Sequence, residues 1–243
     1  MSDDAGRAFE ELMQVMRVLL GPSGCAWDRA QSASSLAPYL LEETYEVLDA
    51  IDQGDPRSLC EELGDLLFQV VFQTELAAQE GRFVMRDVIG GIHDKLVRRH
   101  PHVFADVDAK DVDAAIRSWE QAKAEERRGR DPLEGVPKQL PALLRAVRVE
   151  EKLRAVADAR WTLTPAQRAA RIPESLATFM PEASASADES AEAIEARAGE
   201  LLLDTALLVA SRGIDPESAL RKALERWSAT AQNAAPGPQA RSS

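Results

Sequence analysis

The stretch LLEETYEVLDAIDQGDPRSLCEELGDLLFQVV (residues 40–71) decides the reading of this chain. Apolar residues recur every three or four positions on both sides of a Gly54-Asp55-Pro56 break, the period of an amphipathic helix rather than a strand. Glycine ends the first helix, aspartate caps the second, and proline fits the second helix's first turn. An antiparallel pair of helices follows. On the first, Leu40, Leu41, Val47, Leu48 and Ile51 form the apolar stripe; on the second, Leu59, Leu63, Leu66, Leu67 and Val70 do. Bordering these stripes are two acidic pairs, Glu43/Glu46 and Glu62/Asp65, each spaced i, i+3 so that both carboxylates share a helix face.

Four converging carboxylates repel one another unless a cation sits among them, and oxygen-only donors suit a hard ion such as Mg²⁺, with Mn²⁺ the alternative. A solvated acidic face is the competing reading of either pair taken alone. A di-iron bundle is disfavoured, because such sites want Glu-x-x-His pairs and the three histidines (His93, His100, His102) lie elsewhere. Gly64 weakens its helix by about 1 kcal/mol relative to alanine, which points to close approach of a neighbour or ligand.

Working outward, the periodicity predicts a helix from about Ala8 to Leu20 and a loop over PSGCAWDRAQS (22–32). The acidic helices follow, one starting between Ser34 and Pro38 and stopping at Gly54, the other running to about Glu80. Further helices are expected over Met85–Arg99 and Val112–Arg127. The fold class is therefore all-α, a small helical bundle. Residues 1–128 form a first domain, and the Pro- and Gly-rich segment 129–141 a linker. Residues 142–230 form a second helical domain, and 231–243 a tail too poor in apolar residues to fold.

The second domain reads as a worn copy of the first. Gly64-Asp65-Leu66-Leu67 is echoed by Gly199-Glu200-Leu201-Leu202, and Lys95 and Arg99 by Lys222 and Arg226. Arg197 stands where the first copy has Glu62, and the nearest stretch to EETYE is PESLATF with a lone Glu174. Shared Ala/Leu/Glu-rich composition is the other account of the likeness. Either way, the intact acidic set places the chemistry in the first copy.

A basic group, Lys95, Arg98 and Arg99 at i, i+3 and i+4, can present one face to a polyphosphate, although basic residues also complement a helix C-terminus. Trp119 and Lys123 could stack on a base and reach a phosphate, or simply pack and solvate. Trp27 either walls the cleft or covers the helix pair, and His100 and His102, flanking a proline, read as structural. The net charge of −12 argues against binding nucleic acid through its phosphates but not against a small nucleotide. Two cysteines, no signal-peptide pattern and no long apolar run fit a soluble cytoplasmic protein without a membrane partner.

Taken together, CAWDRAQS (25–32), LAPYLLEETYEVLDAI (36–51), GDP (54–56), EELGDLLFQVVFQ (61–73), EGRF (80–83), DKLVRRHPHVFAD (94–106) and WEQAKAEER (119–127) resemble the MazG family of nucleoside triphosphate pyrophosphohydrolases. The resemblance implies an all-α, Mg²⁺-dependent homodimeric enzyme, commonly with two tandem domains, that converts NTPs or dNTPs to monophosphate and pyrophosphate. It matches the family's paired acidic motifs to Glu43, Glu46, Glu62 and Asp65, the expected metal ligands, and the mechanism expected here has Glu43 or Glu46 double as the base, ligand and base not being separable from spacing. Two departures stand out: the family's usual CPWD reads CAWD, and the second copy lacks the acidic motifs. In some two-domain members the second copy is the active one, so the residues of this chain decide. A non-catalytic nucleotide-binding or regulatory protein is the alternative from another class, and a dUTP or modified-nucleotide specialist a narrower enzymatic one.

Overall fold

The computed structural model describes residues 2–105, 111–126, 128–155, 163–179 and 190–234. All regular elements among them are helices. The chain divides into two compact units, Met1–Glu126 and Arg127–Ser243.

In the first unit, α1 (Ser2–Leu20) leads through the single-turn α2 (Ala26–Arg29) into α3 (Ala33–Gln53) and α4 (Pro56–Gln79). After them come α5 (Met85–Arg99), the short α6 (Pro101–Phe104) and α7 (Val112–Glu126). Local chemistry fixes most boundaries. Ser32 and Ser35 form a reciprocal capping box that starts α3. Gly54 ends it in the left-handed conformation (φ 70°), which costs glycine nothing, and Asp55 caps α4 by accepting from the Arg57 N–H at 3.0 Å.

Several boundaries differ from those read in the sequence. α1 begins at Ser2 rather than Ala8, and the loop before α3 contains α2. Pro38 lies in the second turn of α3, not the first, because the serine box sets the start at Ala33. α7 is described to Glu126; Arg127 lies outside the described residues.

The core joins α1, α3, α4 and α5 through Met16, Leu20, Leu36, Val71, Phe72, Leu76 and Met85, with Phe9, Leu12, Met13 and Phe68 packed against it. This corrects the expected stripes. On α4 the buried apolar side chains are Val71, Phe72, Leu76 and Ala77, whereas Leu63, Leu67 and Val70 remain 38–48% exposed. Leu41 and Ile51 on α3 are likewise exposed, although Val47 is buried. The physical reason is that α4 carries apolar residues around more than one face, and α1 covers only one of them. Across that covered face, the mostly buried Glu75 pairs with Arg17 of α1 at 3.3 Å.

The second unit contains α8 (Ala142–Ala155), α9 (Pro165–Phe179), α10 (Ala191–Ala210) and α11 (Pro216–Ala234). Helix α10 is central and packs against α8, α9 and α11. Inside, Arg168 of α9 donates to Glu150 of α8 at 2.6 Å and to Asp204 of α10 at 3.1 Å. The chain before α8 is irregular, and Lys152 ties it down by donating to the Glu134 carbonyl at 2.8 Å. The tail expected from residue 231 is helical in its first part: α11 continues through Ala234, and residues 235–243 lie outside the described ones. No helix among the described residues is long and apolar enough to cross a membrane.

Candidate active site

The tight Gly54-Asp55 connection sets α3 and α4 side by side, and their packing is the most extensive in the first unit. It brings Glu43 of α3 together with Glu62 and Asp65 of α4. One carboxylate oxygen from each lies within 4.8 Å of the others. Glu43 and Glu62 are half-buried, and Asp65 is exposed. Glu46 lies outside this group of three but acts on it electrostatically.

Glu43 is pushed above the usual carboxylate range by burial, by the charges of Asp65, Glu46 and Glu62, and by a hydrogen bond shared with Glu46. Partial burial and the charges of Glu46, Glu61 and Asp65 raise Glu62 as well. Among the described residues, no lysine or arginine pairs with Glu43, Glu62 or Asp65. Like charges held this close without a counter-charge fit a divalent cation, and carboxylate oxygens are the donors a hard ion prefers. One turn beyond Asp65, the buried Gln69 has an Oε1 with no hydrogen-bond partner, a further polar atom on the same helix.

Gly64 sits beside these carboxylates in open space. A methyl group built on it would meet no atom within 4 Å, so no neighbour among the described residues explains it. The close-approach reading survives only for a ligand or a second molecule.

The basic group is on α5, which packs against α7. Lys95 is exposed, with no paired carboxylate among the described residues. Arg98 and Arg99 instead converge on Glu126, the last residue of α7: Arg98 Nε lies 2.6 Å from Oε1, and Arg99 Nη2 lies 2.6 Å from Oε2. Trp119 is flanked by two cations, Lys123 Nζ at 4.4 Å and the Arg99 guanidinium at 5.6 Å from the ring centroid. Lys123 also pairs with Glu120 at 3.1 Å. Sequence reasoning missed Glu126 because nothing marks one carboxylate in so acidic a chain.

Trp27 is half-exposed in α2 and meets Tyr39 of α3 edge-on, with centroids 6.0 Å apart, so it covers the start of α3. His100 closes α5 and donates from Nδ1 to the Leu96 carbonyl at 2.7 Å. His102 packs beside it, with ring centroids 5.6 Å apart.

In the second unit, Arg171, Glu174, Ser175, Arg197 and Glu200 line a cavity of about 250 Å³. Arg197 and Glu200 are the residues that the Gly199/Gly64 register pairs with Glu62 and Asp65. A guanidinium thus occupies the region where the first unit has only carboxylates, and these residues do not make an oxygen-only donor set.

Residues 31–104, which span α3 to α6 and hold all four acidic residues, match the model of the MazG nucleotide pyrophosphohydrolase domain. Over 223 residues the chain is 42% identical to the nucleoside triphosphate pyrophosphohydrolase of Escherichia coli K12, covering 90% of this chain and 84% of that protein. It is 37% identical over 228 residues to the Thermotoga maritima nucleoside triphosphate pyrophosphohydrolase/pyrophosphatase MazG, covering 92% and 84%. The Mycobacterium tuberculosis nucleoside triphosphate pyrophosphohydrolase is 39% identical over 128 residues, 52% of this chain and 39% of that one. With likeness along nearly its whole length and an acidic helix pair that brings three of its four carboxylates together, this chain is a member of the MazG family of nucleotide pyrophosphohydrolases.

Proposed function

We propose that the first unit hydrolyses nucleoside triphosphates between the α and β phosphates, releasing monophosphate and pyrophosphate, with Mg²⁺ as the working ion. The observation that carries this reading is the convergence of Glu43, Glu62 and Asp65 within 4.8 Å. These three would hold the ion, with Glu46 at the rim of the set. When bound, a divalent ion supplies charge neutralisation at the phosphates and acidifies water.

The residues of the chain do the rest. Water oxygen forms a bond to the α phosphorus, the bond from that phosphorus to the α–β bridging oxygen breaks, and its electron pair leaves with pyrophosphate. Glu46 takes the proton of the attacking water, a role supported by its place outside the converged three and its electrostatic coupling to Glu43 and Glu62. Lys95, Arg98 and Arg99 bind the polyphosphate, offsetting charge that builds on the leaving group. Trp119 and Lys123 accept the nucleoside and a phosphate oxygen, and Trp27, which covers the start of α3, also walls the cleft.

Catalysis is confined to the first unit, since the second has Arg197 in the place of Glu62. The repeated packing order, α1, α3, α4, α5 against α8, α9, α10, α11, supports a tandem duplication with domains at 1–128 and 142–230 joined by the linker 129–141. Exposed Leu41, Leu63, Leu67 and Val70 support a homodimer, because such apolar surface is usually covered. Exposed, unpaired Cys25 and Cys60 support a reducing, cytoplasmic location.

Product analysis after incubation with a panel of NTPs and dNTPs, with and without Mg²⁺, tests the reading. Metal-dependent monophosphate and pyrophosphate, abolished by Glu46→Gln and Glu62→Gln in folded protein, is the expected result. Orthophosphate with diphosphate overturns the bond assignment, and nucleotide binding without turnover establishes a binding protein instead.

A further inference from the structure

Glu126 makes contacts that neither the acidic cluster nor the matched segment 31–104 accounts for. Both of its oxygens are engaged. Oε1 accepts from Arg98 Nε at 2.6 Å, and Oε2 accepts from Arg99 Nε at 3.0 Å and Nη2 at 2.6 Å. Hydrogen bonds from Arg99 and Arg98 hold its pKa at about 2, so it is ionised at any working pH. A planar anion presenting two oxygens to neighbouring guanidiniums uses the same donors that a phosphate group would use.

The setting favours an exchangeable anion over a fixed strut. Glu126 is the final residue of α7, where the helix dipole disfavours negative charge, so the arginines alone oppose that repulsion. Arg98 is 57% exposed, leaving one side of the pair open to solvent, while Arg99 is largely buried against Trp119. Arg98 and Arg99 share this one carboxylate, Lys95 lies one turn before Arg98 on the same helix, and Lys123 is already paired with Glu120. Two guanidiniums on one carboxylate carry more cationic charge than Glu126 neutralises.

We infer that Glu126 is an internal stand-in for a substrate phosphate: it keeps Arg98 and Arg99 converged and ordered, and a polyphosphate displaces it. The inference rests on the reading of Lys95, Arg98 and Arg99 as the polyphosphate site. Its consequence is a reduced apparent affinity, since only the fraction of molecules with Glu126 released can bind. If that fraction is one in ten, removing the carboxylate tightens binding about tenfold.

The test measures binding of inorganic tripolyphosphate to the full chain by calorimetry, in EDTA at fixed ionic strength, for wild type, Glu126→Gln and Glu126→Asp. The inference expects Glu126→Gln to bind about tenfold more tightly or better, with Glu126→Asp between it and wild type. In kinetics, KM for the triphosphate falls by a similar factor and kcat does not rise. Unchanged or weaker tripolyphosphate binding in a folded Glu126→Gln variant overturns the inference and makes Glu126 a fixed clamp. Should the variants fail to fold, the Arg99 Nε–H resonance of the wild-type chain serves. It must shift as tripolyphosphate is added, and a resonance unmoved at saturation overturns the inference. Tighter tripolyphosphate binding in a protein that turns over no triphosphate would sink the hydrolase reading alone. Turnover with unaltered binding would sink only the role of Glu126.

Discussion

Replacing Arg168 by methionine probes what holds the second unit together. The Arg168 side chain is 6% exposed, and its partners Glu150 and Asp204 are 11% and 4% exposed. Methionine keeps a long apolar stem but removes both charge-assisted hydrogen bonds, stranding two buried carboxylates. Breaking a buried pair in this way typically costs about 3–5 kcal/mol. Here each carboxylate keeps a second arginine, which softens the loss. Arg154 donates to Glu150 at 3.1 Å, and Arg171 Nε lies 3.0 Å from Asp204 Oδ2, close enough for ion pairing but not aligned as a hydrogen bond. Both of these arginines are about half exposed and therefore screened. The expected destabilisation is about 2–4 kcal/mol. Urea denaturation followed by circular dichroism would show the midpoint of the second-unit transition lowered by about 1–2 M, for slopes of about 2 kcal/mol/M. Converting all three residues to apolar ones (Glu150→Leu, Arg168→Met, Asp204→Leu) should recover most of the loss, because no charge then remains buried unpaired. A single variant that loses less than about 0.5 kcal/mol, the range of ordinary surface changes, would refute the argument.

Three further outcomes follow from other positions. Gly64→Ala should raise stability by about 1 kcal/mol, as the added methyl meets open space, and thermal melting checks it; a loss instead would show a second molecule packed against that turn. A divalent ion at about a hundred times its Kd should stabilise the first unit by about 2.7 kcal/mol, a shift that differential scanning calorimetry resolves, and Asp65→Asn should abolish it. Burial alone would raise the pKa of Asp215, but hydrogen bonds from Ser218 and Glu217 outweigh it and leave it lowered. Its helix-capping stabilisation is therefore fully present above the ordinary value of 3.8 and is lost as pH falls through the lower folded value. Asp215→Ala should cost about 1 kcal/mol at neutral pH in chemical denaturation, and the difference from wild type should vanish in strong acid.

How far the sequence reaches can be judged residue by residue. Helices α3 and α4 were legible because a serine box, a Gly-Asp-Pro break and a 3.6-residue period are all local signals. Their acidic pairs were legible for the same reason, since i, i+3 spacing fixes a shared face before any packing is known. The expected core stripe on α4 was not, because its apolar residues cover several faces and periodicity cannot say which one α1 will bury. Proline preference points Pro38 to the first turn, but the Ser32 cap six residues before it sets the helix start and outweighs that preference.

The sequence by itself determined an all-helical chain, an acidic helix pair suited to a divalent ion, and its likeness to the MazG family. Each depends on the identity and spacing of residues near one another in the chain. Only the tertiary structure decided that Glu43, Glu62 and Asp65 converge within 4.8 Å, and that Arg98 and Arg99 grip Glu126, 27 residues or more away along the chain. The rotation of one helix against its neighbour, which sets those distances, depends on which side chains fill the space between them, and no local pattern encodes it.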